Sequence, residues 1–284
     1  MSSTGSPLFQ LEWMGGVAEH HFRRARPGAD DLPWGTLDAA KYPPALLEAA
    51  RGSWTEVAIN EYRAVASFSE VVRALVEVQA PLDLIGMTAD FLADEARHVE
   101  LASRVTMELG GAAARAFDPN AFGLRMDRRL TPLQRANDLA LRVGCVAEAF
   151  AGGTGAGNLR AAAHPLTRAV LESILADEAR HRRFGGLYFE WAGERLDDAE
   201  RARLSGVLLE ALRGHQRFWK RKAEPVVSGR TANGYSVADL HELGWMESER
   251  AVPLARKVVE EDILAPLAAL GIALTESERT ELLA

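Results

Sequence analysis

A pentapeptide that contains a carboxylate and an imidazole occurs twice in the chain. The sequence Asp-Glu-Ala-Arg-His is found at residues 94–98 and again at residues 177–181. In each copy the Glu and the His are three residues apart, which places both on one face of a helix. The rest of that face is mostly apolar. A carboxylate and an imidazole are costly to bury there unless they are paired or bind a cation, so the two copies indicate a shared metal site.

A metal site inside a four-helix bundle also requires an inward-facing glutamate from each of the two other helices. Glu61 and Glu148 meet this requirement. Counted from the Ala-Pro break between the first two helices, Glu61 and Glu95 differ in height by only about 6 Å. For Glu148 and Glu178, counted from the His-Pro break, the difference is about 3 Å. The predicted metal ligands are Glu61, Glu95, His98, Glu148, Glu178 and His181.

Four long helices are predicted to position these ligands. Alanine, leucine, glutamate and arginine dominate the sequence and β-branched runs are scarce, which favours an all-α fold. Ser53, with Glu56 three residues later, predicts the start of the first helix. The Ala-Pro, Gly-Gly and His-Pro pairs predict the breaks that follow. The predicted helices A to D span residues 53–79, 82–109, 131–160 and 166–193.

The segment between helices B and C is predicted to cross the bundle. It covers residues 110–130, and about 20 extended residues reach about 66 Å, more than the roughly 40 Å length of the helices. Further helices are predicted at 197–222, 237–246 and 248–268. The predicted domains are an N-terminal arm at 1–52, a di-metal four-helix bundle at 53–193, and a C-terminal helical extension at 194–284 packed on the bundle.

The composition is typical of a globular cytoplasmic protein. The 284 residues are 48% hydrophobic and 26% charged, which allows a sizeable core. The net charge of −7 disfavours a nucleic-acid-binding surface. A single cysteine fits a reducing compartment, and neither a secretory signal nor a membrane-spanning stretch is evident. We therefore expect a cytoplasmic location with no membrane partner.

The pattern of one Glu followed by Glu-x-x-His, found twice, resembles the ligand pattern of the ferritin-like di-iron carboxylate proteins. The fuller form, with Asp before each ligand Glu and Arg before each His, resembles the motif of soluble bacterial di-iron monooxygenases. The resemblance covers roughly half of the chain. It implies a ferritin-like four-helix bundle with a long B–C crossover and additional C-terminal helices. It also implies two iron ions as cofactor, with manganese or a mixed iron–manganese pair as alternatives.

The resemblance further implies a role for the charged residues beside the ligands. In the monooxygenases, the Asp next to each ligand Glu accepts a hydrogen bond from a ligand His, and the Arg supports the Asp. The same roles are implied here for Asp94 and Asp177, held by Arg97 and Arg180. Each Asp would bind the ligand His of the other copy of the motif. Such a bond fixes the imidazole tautomer and raises the basicity of the ligand.

Helix C is unusually rich in glycine, with four glycines between residues 152 and 157. Two interpretations remain open, since small residues allow either close packing of a neighbouring helix or room for a substrate beside the metal ions. The second interpretation predicts a pocket that apolar side chains of helices A and B also line. The predicted pocket residues are Val65, Phe68, Phe91, Gly144, Cys145, Ala151, Gly152 and Gly155.

These features predict a di-iron oxygenase or oxidase. It would use O2 and an external electron donor to oxidise a small, fairly apolar organic substrate by hydroxylation, desaturation or N-oxygenation. No catalytic residue is predicted beyond the metal cluster, and a homodimer is compatible with the sequence. The alternatives are a ferroxidase or peroxidase, a protein similar to manganese catalase, a tRNA hydroxylase, which the acidic charge disfavours, and a non-enzymatic helical binding protein.

Overall fold

Helices make up most of the chain in the computed structural model, which describes residues 8–118, 122, 124 and 126–284. Within these residues, β-pairing is limited to isolated bridges such as Leu8 with Ala116. No described helix is both long enough and apolar enough to cross a membrane. The expected all-α fold is therefore confirmed.

Four long helical stretches form the bundle. The first, α2, follows a short arm helix, α1, at Gly16–Ala25. Within each hairpin, α2 with α3 and α5 with α6, the helices run antiparallel. Arg135 at the start of α4 bonds Glu77 at the end of α2, so the third stretch starts at the same end as α3 and runs parallel to it. Contacts of α2 with α3, α3 with α6, α6 with α5 and α2 with α4 close the ring. The third stretch consists of α4, a π-helix and α5. The bounds are α2 Pro44–Glu77, α3 Leu82–Glu108, α4 Pro132–Leu139, π-helix Ala140–Ala147, α5 Glu148–Ala161 and α6 Pro165–Ala192.

Local sequence explains most of the helix boundaries. Pro81 separates α2 from α3, since proline cannot continue a helix. Gly110 follows α3 with a φ of 93°, a conformation that glycine adopts without strain. Thr131 and Gln134 form a capping box at the start of α4. The expected start of the first helix at Ser53 is wrong, because α2 already begins at residue 44 and Ser53 lies inside it.

The additional C-terminal helices are also present. They are α7 Asp198–His215, α8 Val237–Glu242, α9 Ser248–Val258, a second π-helix Val259–Leu264, α10 Ala265–Ala269 and α11 Glu276–Leu283. The stretch predicted as one helix at 248–268 is divided by the π-helix, and α11 was not predicted. α9 packs against α5, and the apolar core of the bundle continues into these helices.

The crossover between α3 and α4 is irregular where it is described. Residues 119–121, 123 and 125 of this predicted connection lie outside the described residues. Phe117 and Phe122 pack with Tyr62 of α2, while Leu124 packs against the main core. The described part of the connection therefore packs along α2.

Candidate metal centre

The structure brings the six predicted ligand side chains together inside the bundle. Five are buried; Glu61, whose side chain is 18% exposed, is the most accessible. Each of the four long stretches contributes, as a four-helix metal site requires. The contributions are Glu61 from α2, Glu95 and His98 from α3, Glu148 from the first position of α5, and Glu178 and His181 from α6.

The ligand atoms form two groups that share two carboxylates. In each group, four ligand atoms lie within 4.8 Å of one another. Glu95 and Glu178 belong to both groups and so are placed to bridge two ions. One group is completed by Glu61 and His98, and the other by Glu148 and His181.

Both imidazoles direct Nδ1 toward the shared carboxylates. Nδ1 of His98 lies 3.6 Å from Oε2 of Glu95 and 3.5 Å from Oε1 of Glu178. Nδ1 of His181 lies 2.9 Å from Oε1 of Glu95 and 3.6 Å from Oε1 of Glu178. The centre is therefore built from two similar halves that meet at the two central carboxylates.

Several polar atoms of the centre are buried without a hydrogen-bond partner. They include both carboxylate oxygens of Glu95, Oε2 of Glu178, and Nδ1 of His98 and of His181. Buried polar atoms are nearly always satisfied in native proteins, and two cations between these atoms would satisfy all of them. Four carboxylates and two imidazoles are hard and borderline donors, which suit iron or manganese. The residues present therefore fit a di-metal cofactor.

The protonation of the metal-free centre reflects its burial. Burial raises the pKa of Glu61 to about 8, and burial together with the charge of Glu178 raises the pKa of Glu148 well above its usual value. Burial also opposes the ionisation of Glu95, but contacts with His181 and His98 outweigh it and lower the pKa of Glu95 to about 2. The outer carboxylates thus hold protons near neutral pH, while Glu95 is charged.

These pKa shifts predict that metal binding is pH-dependent. A carboxyl group with a raised pKa is protonated at neutral pH, so a metal ion must displace that proton before it can bind. We expect proton release on binding and an affinity that falls as the pH is lowered from about 8 to about 6. Calorimetric titration with Mn²⁺ in buffers of different ionisation enthalpy measures both quantities. An affinity that does not change over this range would contradict the prediction.

Two aspartates orient the imidazoles through Nε2, the ring nitrogen that faces away from the glutamates. Nε2 of His98 lies 3.3 Å from Oδ2 of Asp177, and Nε2 of His181 lies 3.2 Å from Oδ2 of Asp94. An Nε2–H group that donates to a carboxylate leaves Nδ1 unprotonated and free to bind a metal ion. Each aspartate therefore contacts the histidine of the other copy of the motif.

Three arginines hold these aspartates. Arg180 donates to Oδ2 of Asp94 at 3.1 Å and to Oδ1 of Asp177 at 2.8 Å, and Arg97 donates to Oδ2 of Asp177 at 3.4 Å. Arg26 of the N-terminal arm donates to Oδ1 of Asp94 at 2.6 Å. Sequence reasoning did not identify Arg26 as a partner of Asp94. The available signal was the run of basic residues that precedes it in the arm, His20, His21, Arg23 and Arg24.

A π-helix leads directly into Glu148. It covers Ala140–Ala147 and so ends one residue before this ligand. Wider turns of this kind are rare and frequently occur at functional sites. Because a π-turn holds more residues than an α-turn, it rotates the residues after it relative to those before it. The π-helix therefore helps to set the face of the helix on which Glu148 lies.

The space beside the glycines of the third helix is largely occupied, which favours the close-packing interpretation. A Cβ atom at Gly144 would lie 2.6 Å from a ring carbon of Phe184, and one at Gly152 would lie 2.5 Å from Cδ of Arg182. A Cβ atom at Gly155 would lie 3.0 Å from Leu175. Side chains of α6 therefore occupy the space at these three glycines, and the pocket as a whole stays a prediction.

The other predicted pocket residues occupy two different environments. Phe68 and Phe91 are fully buried against the ring of His181, at centroid distances of 5.7 and 4.2 Å. Cys145 is partly buried, and burial raises the pKa of its thiol to about 12. Val65, on α2, is partly exposed, and Ala151, on α5, is exposed. These last two lie one turn beyond Glu61 and Glu148, respectively.

The contact at Gly144 predicts a large effect on stability from a small substitution. In Gly144→Ala, the new Cβ would lie 3.0 Å from the backbone nitrogen of Gly185, which cannot move independently of α6. We expect a loss of about 1–3 kcal/mol in the free energy of unfolding. The control is Gly186→Ala on α6, where a Cβ meets nothing within 4 Å and should stabilise the helix by up to about 1 kcal/mol. Urea unfolding measures both; equal effects would contradict the close approach.

Comparisons with known proteins support the fold. No protein family model matches the sequence, and no curated protein sequence matches it. Among solved structures, the chain is similar to "Protein 19 with aldehyde deformylating oxidase activity" from Synechococcus, with a TM-score of 0.57 and 19% sequence identity. The match covers 87% of this chain and 99% of the other. At this identity the likeness establishes the ferritin-like fold, and the buried centre is assigned from its own geometry.

Proposed function

We propose that the protein is a di-iron oxidase or oxygenase that uses O2 to oxidise a small, fairly apolar organic substrate. The observation that carries the proposal is the pair of overlapping ligand groups, in which Glu95 and Glu178 are shared. The activity of the structurally similar Synechococcus protein supports the oxidase class. The reaction itself, whether hydroxylation, desaturation or N-oxygenation, is part of the proposal.

Different residues of the chain would bind each of the two iron ions. Glu61 with His98 and Glu148 with His181 would each hold one iron ion, and the two central glutamates would bridge them. When bound, the iron pair supplies the electrons that reduce O2, which two neighbouring metal ions can share. Four carboxylates balance the charge of two divalent ions, so the loaded centre is close to neutral.

The surroundings of the centre favour access from one side. On the side of His181, Phe68 and Phe91 exclude water from the imidazole. In the other half of the centre, Glu61 is the most exposed ligand. Val65, one turn after Glu61 on α2, is apolar and partly exposed. We propose that a small apolar substrate approaches the centre beside α2, past Glu61 and Val65.

An oxygen-uptake experiment tests the proposal. Metal-free protein is loaded anaerobically with two equivalents of Fe²⁺ and exposed to O2 with panels of apolar aldehydes, arenes and arylamines, while products are identified by mass spectrometry. We expect a product that requires O2 and that is not formed by Glu95→Gln protein. Uptake of O2 with only ferric mineral as product would instead indicate a ferroxidase. Peroxide disproportionation by the Mn²⁺-loaded protein would indicate a catalase.

A further inference from the structure

The N-terminal arm contributes a nearly buried guanidinium to the support of the metal centre. Nε of Arg26 donates to Oδ1 of Asp94 at 2.6 Å. Nη2 of the same side chain donates to the carbonyl oxygen and to Oδ1 of Asp90, at 2.8 and 2.7 Å. The side chain of Arg26 is 17% exposed and that of Asp94 is 1% exposed. Three hydrogen bonds from two nitrogens fix the plane of the guanidinium against α3.

Asp94 in turn contacts the predicted metal ligand His181. Oδ2 of Asp94 lies 3.2 Å from Nε2 of His181, on the side of the ring opposite to Nδ1, which faces the carboxylates of the centre. Arg26 binds one oxygen of this aspartate, and the ligand histidine binds the other. The position of the carboxylate, and with it the orientation of the ring, therefore depends on a residue outside the bundle.

Asp177, which contacts His98 in the other half of the centre, has different hydrogen-bond partners from Asp94. Among the described residues, the side chains that hydrogen-bond to Asp177 are His98, Arg97 and Arg180. Both arginines belong to the repeated motif itself. Asp94 is bound by Arg180 as well, but in addition by Arg26. The two copies of the motif have the same sequence, yet the arm makes their surroundings unequal.

We infer that Arg26 is a positioning residue that fixes Asp94, and through it His181, and thereby strengthens metal binding selectively in the Glu148–His181 half of the centre. The inference rests on the metal pair of the proposed function but not on the reaction. Loss of a partner behind a ligand typically costs about 10- to 100-fold in metal affinity. Since Arg26 acts one residue further from the ligand, we expect a loss near the lower end of that range.

The arm has other attachments that provide a matched control. Arg23 donates to Glu100 at 2.8 Å, and Asp30 accepts from Arg104 at 2.6 Å. Both bonds hold the arm on α3 without touching Asp94. Arg23→Gln therefore weakens the docking of the arm and leaves the contact between Arg26 and Asp94 in place.

Titration of the metal-free, full-length protein with Mn²⁺, followed by electron paramagnetic resonance, tests the inference. The wild-type protein should bind two ions and give the broad spectrum of a spin-coupled pair. Arg26→Gln and Arg26→Met should each bind one ion as tightly as the wild type and the second about 10-fold more weakly. At two equivalents both should then show the six-line spectrum of isolated Mn²⁺. Arg23→Gln should behave as the wild type.

Three outcomes would overturn the inference while leaving the proposed function intact. The first is a normal coupled pair in both Arg26 variants. The second is an equal weakening of the binding of both ions. The third is the same loss of affinity in Arg23→Gln, which would indicate general loosening of the arm. Circular dichroism of the metal-free variants checks that the bundle is folded in each case. A wild-type protein that binds no Mn²⁺ or Fe²⁺ would refute the proposed function itself.

Discussion

We expect Glu95→Gln to prevent the binding of both proposed metal ions, whereas Glu100→Gln, on the same helix, should prevent the binding of neither. Oε1 of Glu95 lies 2.9 Å from Nδ1 of His181, and Oε2 lies 3.6 Å from Nδ1 of His98. Each oxygen thus faces a different half of the centre, and neither has a hydrogen-bond partner. A glutamine keeps the shape but replaces one oxygen by an NH2 group, which cannot bind a cation, and it removes the negative charge that both ions share.

We expect a loss of metal affinity greater than the roughly 10- to 100-fold that follows from removal of a residue that only supports a ligand, because Glu95 belongs to both groups of ligand atoms. Glu100 is a fair control, since it is also buried but pairs with Arg23 and Arg104 and faces away from the centre. Iron content after anaerobic loading and gel filtration measures the difference. Two retained iron ions in the Glu95 variant would contradict the assignment of this residue as a bridge.

Loading the metal-free protein with Fe²⁺ or Mn²⁺ will raise its melting temperature by on the order of 10 °C. Ions that bind only the folded state stabilise it by mass action, by about 2.7 kcal/mol for each site when the free metal is 100 times the dissociation constant. Two filled sites thus contribute about 5 kcal/mol. The physical origin is the cluster of buried carboxylates, which carry protons or repel one another until cations separate them.

The Glu148→Gln variant provides the comparison for this measurement. Because the pKa of Glu148 is raised well above its usual value, its carboxyl group is protonated in the metal-free protein, and glutamine is a close mimic of that form. The metal-free variant should therefore melt at nearly the same temperature as the metal-free wild type, while its response to metal should be much smaller. Scanning calorimetry resolves both effects. Identical melting of loaded and metal-free wild-type protein would refute the prediction.

The sequence predicts the fold class and the arrangement of the centre because both depend on local periodicity. The three-residue spacing of Glu95 and His98 places them on one face of the helix. The helix-breaking proline and glycine residues determine where each hairpin turns. Equal heights within a hairpin then follow from the rise of the helix. These quantities belong to short stretches of sequence, so that no tertiary information is needed to place Glu61 level with Glu95.

The features that the sequence does not predict depend on distant residues. The sequence does not distinguish a glycine of α5 that leaves room for a pocket from one that allows a neighbouring helix to pack closely. The structure shows close packing, with Val258 against Gly153. Arg26 and Asp94 are separated by 68 positions, so their pairing leaves no local pattern. The π-helix before Glu148 has no recognised sequence marker, and the early start of α2 reflects the burial of Leu46 and Ala50, which only tertiary packing reveals.

The continuous apolar core has a consequence for the order of events during synthesis. Phe150 packs on Trp219, whose indole nitrogen donates to the carbonyl oxygen of Leu282, and Leu282 is itself buried. All six predicted ligands are translated by residue 181, whereas α9, which packs against α5, emerges from the ribosome later. The nascent bundle therefore exposes the face of α5 around Gly153 and Gly157 until α9 arrives, and the contact between Trp219 and Leu282 forms only once residue 282 has been translated.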